Sequence, residues 1–280
     1  MPLRLIEGQY APGDPFCVDL ATTDVQGAAR FYGRVFGWEF EGEAHLKALR
    51  NGRMAAGIGL MDALDLTSKM WWVCLASPEP GADAKKAEGL GGSVKGPQEI
   101  EGLGQIATVV DPGGAAFALW QPKNINPGAL HGAHGGIVWA ELLTEDPAAA
   151  GFYEQMYGVK AVPTEGSGDR GPPPGTLNLE RQEIGVKRVM ASIVPLGAHP
   201  TGSKEGPLRG EGDSGQQDSY PRWRAYFMIE DTQVFADDAR SAGAQLLESR
   251  VSASGQAVTV FRDPQGVEFA VVEGTSSTPT

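Results

Sequence analysis

Cysteine is nearly missing from this 280-residue chain, which has only Cys17 and Cys74. Two thiols build no disulfide framework, and no paired-cysteine spacing of a metal site is present. Basic charge is short as well: 23 Lys and Arg stand against 35 Asp and Glu, a formal charge of −12. Nucleic-acid binding needs a basic face to displace counterions, and docking on anionic lipid needs the same, so neither partner is expected. Long apolar runs are also lacking. No stretch approaches the roughly 20 apolar residues of a membrane helix. The opening MPLRLIEGQYAPGDP has no signal-like apolar core. These absences predict a cytoplasmic protein that meets neither nucleic acid nor membrane. What the chain does have is 39 Gly and 20 Pro, in a composition that is 41% hydrophobic and 21% charged. That is enough apolar sequence for a sizeable core, with turn-formers for many short strands.

The sequence also repeats itself. Residues 16–38, FCVDLATTDVQGAARFYGRVFGW, parallel residues 137–159, IVWAELLTEDPAAAGFYEQMYGV. Each is an apolar run holding one acid, then Thr and Asp, then Ala-rich sequence and Phe-Tyr. Residues 109–119, VVDPGGAAFAL, parallel residues 261–271, FRDPQGVEFAV. More weakly, WWVCL at 71–75 parallels WRAYF at 223–227. Tandem domains over 12–123 and 135–274 follow, joined by a Pro/Gly/Asn-containing linker over 124–134. Asp24 and Asp146 stand where helix N-caps belong, Gly37 where a C-cap glycine belongs, and Asn51-Gly52 reads as a hairpin turn. Two inserts, 164–175 and 198–222, lack periodicity and read as long loops, surface excursions or lids. The coarse order is βαβββ twice per domain, an α+β pattern.

Apolar strand, Asp, Ala-rich helix, Phe-Tyr, then Asp-Pro-x-Gly and an apolar strand, all twice in order, resembles the vicinal-oxygen-chelate superfamily. This is the fold of glyoxalase I, bleomycin-resistance proteins and extradiol dioxygenases. The subgroup it most resembles is the two-domain actinobacterial type, and Asp19-Leu20-Ala21-Thr22-Thr23-Asp24 carries that likeness. The resemblance implies two glyoxalase-like domains with curved mixed sheets, a ligand on each concave face, and a divalent metal held from the first, middle and last strands. Carried over, those metal positions fall on Cys17, Trp72 and Ala118, and on Trp139, Arg224 and Ala270. None is His, Glu, Asp or Gln, so no metal and no other cofactor is expected. His131 and His134 read as solvated linker residues, and spacing reveals no partner for His45.

Alternation along the strands groups Cys17, Asp19, Trp72, Cys74, Ala118 and Trp120 on one concave face. It groups Trp139, Glu141, Arg224, Tyr226, Glu268 and Ala270 on the other. Aromatic walls with alanines at the metal corners suit a flat, partly apolar organic ligand. Asp19 and Glu141 read either as general bases, with Tyr226 beside them, or as structural acceptors. Arg224 would pair with Glu141 or Glu268, while Trp71, Trp223 and the Phe-Tyr pairs read as core. Three functions stay open: a binding protein that sequesters or carries an aromatic or hydrophobic compound; a metal-independent acid–base enzyme tailoring an aromatic or polyketide-like substrate; or a structural partner. A monomer suffices for the arrangement, and a homodimer is equally allowed.

Overall fold

The computed structural model describes residues 10–60, 69–100, 102–123, 125–146, 148–164, 172–183, 186–196, 220–251 and 256–274. The first half runs β1 (Pro15–Thr22), α1 (Val25–Phe36), β2 (Glu39–Glu41), β3 (His45–Arg50), β4 (Arg53–Leu60), β5 (Met70–Ala76), α2 (Pro80–Gly89), β6 (Ser93–Ile100), β7 (Gly104–Val110) and β8 (Ala116–Pro122). The second half repeats the order as β9 (Ile137–Leu143), α3 (Ala149–Tyr157), β10 (Lys160–Pro163), β11 (Leu177–Glu183), β12 (Val186–Val194), β13 (Arg222–Ile229), α4 (Thr232–Ser241), β14 (Gln245–Val251), β15 (Ala257–Arg262) and β16 (Glu268–Glu273).

Each half forms an eight-stranded mixed sheet, ordered β2-β3-β4-β1-β5-β8-β7-β6 and β10-β11-β12-β9-β13-β16-β15-β14. Four strands are central to the first cup. β1 runs parallel to β4 and antiparallel to β5, and β5 runs parallel to β8. The expected α+β class, with open curved sheets in two glyoxalase-like units, is what the chain forms.

Local signals explain the elements. Asp24 caps α1 by accepting from the Gly27 N–H at 2.8 Å, and Gly37 ends it in the left-handed conformation at φ 67°. Asn51 and Gly52, both at positive φ, close the β3–β4 hairpin. Asp146 differs from its expected capping role. α3 starts later, with Ala148 at the N-cap, and Asp146 accepts from the Ala148 N–H just outside the helix. The long insert also ends earlier than the sequence implied, because Arg222 opens β13 as a buried strand residue. The interior of that insert, 197–219, and residues 165–171 of the shorter one lie outside the described residues, as does the tail beyond Gly274.

The helices cross over. Val25, Ala28, Ala29, Phe31, Tyr32, Val35 and Phe36 form the buried stripe of α1. Part of that stripe packs on the second sheet: Phe36 lies 5.0 Å from Phe227 and Tyr32 5.6 Å from Phe269, centroid to centroid. In the converse packing, Phe117 of the first sheet meets Tyr153 of α3 at 5.9 Å. Each buried aromatic contributes about 1.5–3 kcal/mol.

Two equivalent hydrogen-bond chains fasten the crossing. Trp71 donates to the Tyr32 hydroxyl at 3.0 Å, and Tyr32 donates to Asp263 at 2.9 Å. Trp223 donates to Tyr153 at 3.1 Å, and Tyr153 donates to Asp111 at 2.9 Å. The other carboxylate oxygen of each Asp accepts turn N–H groups, from Ala115 in one half and from Gln265 and Val267 in the other.

The linker is a loop, but a pinned one. Leu130 is buried and donates its N–H to the Met54 carbonyl at 3.1 Å. Trp38 donates to the Gly135 carbonyl at 3.1 Å. The expectation of solvated linker histidines fails for the same reason: the Nδ1 atoms of His131 and His134 are buried. Burial, with Arg188 nearby, lowers the His131 pKa to about 4, and burial lowers that of His134.

Tyr32→Phe and Tyr153→Phe each strip a buried carboxylate of one donor that crosses between halves. We expect each to cost about 1–3 kcal/mol, read as a lower urea midpoint, with both halves melting in one shifted transition. A midpoint unchanged in both variants would remove the crossed bonds from the fold's foundations.

Candidate functional site

The concave face of the first sheet holds a cavity of about 250 Å³. Its floor comes from β1, β5 and β8, which present Asp19, Trp72, Cys74, Ala118 and Trp120. Leu103, Ile106 and Thr108 flank the β7 side, and Leu60, Lys95 and Gln98 stand exposed at the mouth. Alternation thus brings five of the six expected residues together. The sixth, Cys17, is fully buried in the same apolar cluster and is not among the lining residues. Phe16 belongs to the same cluster and meets Tyr10 at 4.6 Å between ring centroids, the rings tilted by 49°.

Polar groups in this cup are few. Trp120 donates its indole N–H to the Leu103 carbonyl at 2.9 Å. Asp19 binds the His45 Nε2 through Oδ2 at 2.7 Å. The Asp19 carboxylate holds the imidazolium above its ordinary pKa, against the opposing effect of burial. Among the described residues, two buried atoms of this cup have no hydrogen-bond partner: the Asp19 Oδ1 acceptor and the Trp72 Nε1 donor.

His45 is the residue that sequence reading missed. It lies on β3, a strand whose register with β1 is set only through β4, where His45 stands opposite Gly59. Gly57 and Gly59 show why the pair fits. A Cβ at Gly57 would collide with the Asp19 carboxylate and approach His45 Cε1 to 2.7 Å, and one at Gly59 would come within 2.7 Å of His45 Cδ2. The Gly-x-Gly step in an otherwise apolar strand was the available signal.

The second concave face is filled with charge. Glu268 accepts from Arg222 at 2.9 Å, Arg224 at 3.4 Å and Arg262 at 3.3 Å. Burial raises the Glu268 pKa, but the three guanidinium groups outweigh it and the net shift is downward. Glu141 accepts a short hydrogen bond from the Tyr226 hydroxyl and faces Arg250 at 3.8 Å. Burial, then Glu141, pushes the Tyr226 hydroxyl far above its usual range. Trp139 and Ala270 join Tyr226 in a small apolar cluster. The six expected residues are therefore assembled, with Glu141 in the structural alternative and Arg224 on Glu268.

The superfamily's metal was tested against these side chains. The row in register across β1, β5 and β8 is Cys17, Cys74 and Ala118; across β9, β13 and β16 it is Trp139, Tyr226 and Ala270. At the middle strands the positions carried over from the resemblance are Trp72 and Arg224, which stand opposite Asp19 and Glu141. Ala118 and Ala270 have no donor atom, the indoles of Trp72 and Trp139 have no lone pair free for a metal, and Arg224 is a cation paired with Glu268. Among the described residues, no three His, Cys, Asp or Glu side chains group closely enough to hold a metal ion. The residues do not fit a divalent cation.

Comparison with known proteins agrees with the fold. The family model "Glyoxalase-like domain" matches twice, over residues 15–120 and 140–272. The chain is 30% identical over 98% of both lengths to "Putative glyoxylase CFP32" of Mycobacterium tuberculosis. It is 26% identical to "Anthracycline biosynthesis protein DnrV" of Streptomyces peucetius, over 95% of this chain and 94% of that one. Among solved structures, the Mn(II)-bound glyoxalase from Novosphingobium aromaticivorans superimposes with a TM-score of 0.59 at 14% identity, over 94% of this chain and 82% of that chain. A homoprotocatechuate 2,3-dioxygenase variant from B. fuscum gives 0.57 at 14%, over 96% and 76%. These two share the fold. With both halves matched and a relative aligned end to end, the chain belongs to the glyoxalase-like domain family, within the vicinal-oxygen-chelate superfamily.

Proposed function

We propose that the first half is a metal-independent binding site for a flat, mainly apolar small organic molecule, which the protein sequesters or carries. One observation carries this reading: the first cup is open, aromatic and apolar, whereas the equivalent second cup is occupied by its own Arg–Glu–Tyr network. Desolvating apolar lining drives association without directional bonds. An apolar cavity of roughly 150 Å³ admits benzene, so about 250 Å³ gives space for fused rings. The relative named for anthracycline biosynthesis points the same way, toward an aromatic polyketide. The second reading, acid–base catalysis without metal, is supported by one feature, the unpartnered Asp19 oxygen beside a protonatable His45. Glu141 and Tyr226 give it no support, since each already engages the other.

Hydroxyanthraquinones titrated against the protein should quench tryptophan fluorescence saturably at one site per chain. EDTA should leave the affinity unchanged, and mass spectrometry should return the compound unaltered. Ala118→Leu, which fills the floor, should weaken binding at least tenfold while leaving the fold intact. Binding that requires a divalent ion, or that ignores Ala118→Leu, contradicts the reading, and conversion of the compound favours the enzyme.

A pH dependence follows from the His45–Asp19 pair. The folded pKa of His45 lies above the ordinary 6.5. Its contribution is therefore complete below that value and is lost as pH rises through the folded pKa. The stability gap between the wild type and His45→Gln, up to about 1 kcal/mol for a half-buried pair, should be wide at pH 6 and nearly closed at pH 9. Urea melts at both values check this, and a gap that widens with pH would contradict the assignment.

A further inference from the structure

His45 reaches from β3 across β4 to β1. It stands opposite Gly59 on the β3–β4 ladder, and Asp19 stands opposite Gly57 on the β1–β4 ladder. Neither glycine has a Cβ to lift the ring: one placed at Gly57 would lie 2.7 Å from His45 Cε1, and one at Gly59 2.7 Å from Cδ2. The imidazole therefore lies along the surface of β4, with its Nε2 2.7 Å from Asp19 Oδ2. It forms part of the cavity wall, and its side chain is 28% exposed. The other ring nitrogen, Nδ1, makes no hydrogen bond among the described residues. Unlike the Nδ1 atoms of His131 and His134, it is not buried.

Asp19 decides what this nitrogen can do. A carboxylate only accepts, so the proton of the contact sits on Nε2 in the neutral and in the charged ring alike. Nδ1 is then an acceptor when the ring is neutral and a donor when it is protonated. A hydroxyl suits both states, because it gives and takes a hydrogen bond; a carbonyl suits only the second and an N–H only the first. Away from β3 the lining is mainly apolar, with Trp72, Ala118 and Trp120 on the floor and Leu103 and Ile106 on the β7 side. Resting on the reading of this cup as the ligand site, we propose that His45 Nδ1 is its polar anchor, and that the ligand is an aromatic compound with a hydroxyl on the edge that meets β3 and an apolar body toward the two tryptophans. Asp19 acts as a positioning residue that fixes the tautomer of the ring. β3 carries none of the positions at which the superfamily holds its metal, so this contact lies outside that site.

2-Naphthol and 2-methylnaphthalene have nearly the same shape and differ in one group, a hydroxyl against a methyl. Equilibrium dialysis at pH 7 should show the wild type binding 2-naphthol at least as tightly as the more hydrophobic methyl compound. In His45→Phe, which keeps a flat ring and removes both nitrogens, the ratio of the two affinities should fall by at least about fivefold, as a buried hydroxyl loses its partner. In the wild type, long-range proton–nitrogen correlation spectra should show the His45 Nδ1 resonance moving on titration with 2-naphthol and far less with 2-methylnaphthalene. The spectra need no variant, so they decide the matter where His45→Phe does not fold. An affinity ratio unchanged in His45→Phe, or an Nδ1 resonance that stays in place while 2-naphthol binds, overturns the anchor and leaves the cup a ligand site. If neither compound binds the wild type, the reading of the cup as a ligand site falls, and the anchor with it.

Discussion

The hydrogen bond from a helix tyrosine of one half to a turn aspartate of the other is the constraint on which this architecture rests. It is made twice, Tyr32 to Asp263 and Tyr153 to Asp111, and each tyrosine also receives a tryptophan N–H from its own half. Burial raises the pKa of both aspartates, and the turn N–H groups and the tyrosine hydroxyl counter that shift. A buried carboxylate without such donors would be costly. The bonds therefore fix three things together: the Asp-Pro-x-Gly turn, the helix lying across it, and the relation of the two sheets. Neither half completes its core alone, since Phe36 of the first packs on Phe227 of the second. With the convex faces closed in this way, the concave faces are left for other uses.

Those uses have diverged on one backbone plan. Both sheets have the same strand order, and the cups differ in the side chains they present. In the second, arginines from β13 and β15 converge on Glu268, and Arg250 reaches Glu141. Such a cluster gains little net stability after desolvation, but it fills space and fixes rotamers. In the first, the corresponding volume is walled by Trp72, Trp120 and Ala118 and stays open. One cup is crossed by charged side chains that bind one another, and the other is walled by aromatic and apolar side chains around a cavity.

Much of this was legible in the sequence. The repeated Phe-Tyr and Asp-Pro-x-Gly segments announced two copies, and they are the ends of the crossed hydrogen bonds, although no spacing rule says that Tyr32 finds Asp263 and not Asp111. Period-two alternation assembled both concave faces correctly, because strands buried on two sides still send alternate residues to opposite faces. The cross-strand pairing could not be read this way, since alternation fixes the face but not the register. His45 was out of reach because its partner lies 26 positions away, on a strand that touches β3 only through β4. The linker histidines misled because composition reports a loop and not what packs around it.

The loss of donor atoms from the register rows and the gain of polar groups beside them belong to one argument. Thiols and alanines on the floor make the first cup drier, and a drier cup makes each remaining polar atom more costly to leave unpaired. Asp19 answers this on one oxygen by recruiting His45, which requires a strand stripped of side chains at Gly57 and Gly59. Its other oxygen, like the Trp72 N–H, is buried without a hydrogen-bond partner among the described residues. The Asp19–His45 pair, whose seat depends on two glycines, is the polar edge of an otherwise hydrophobic hollow.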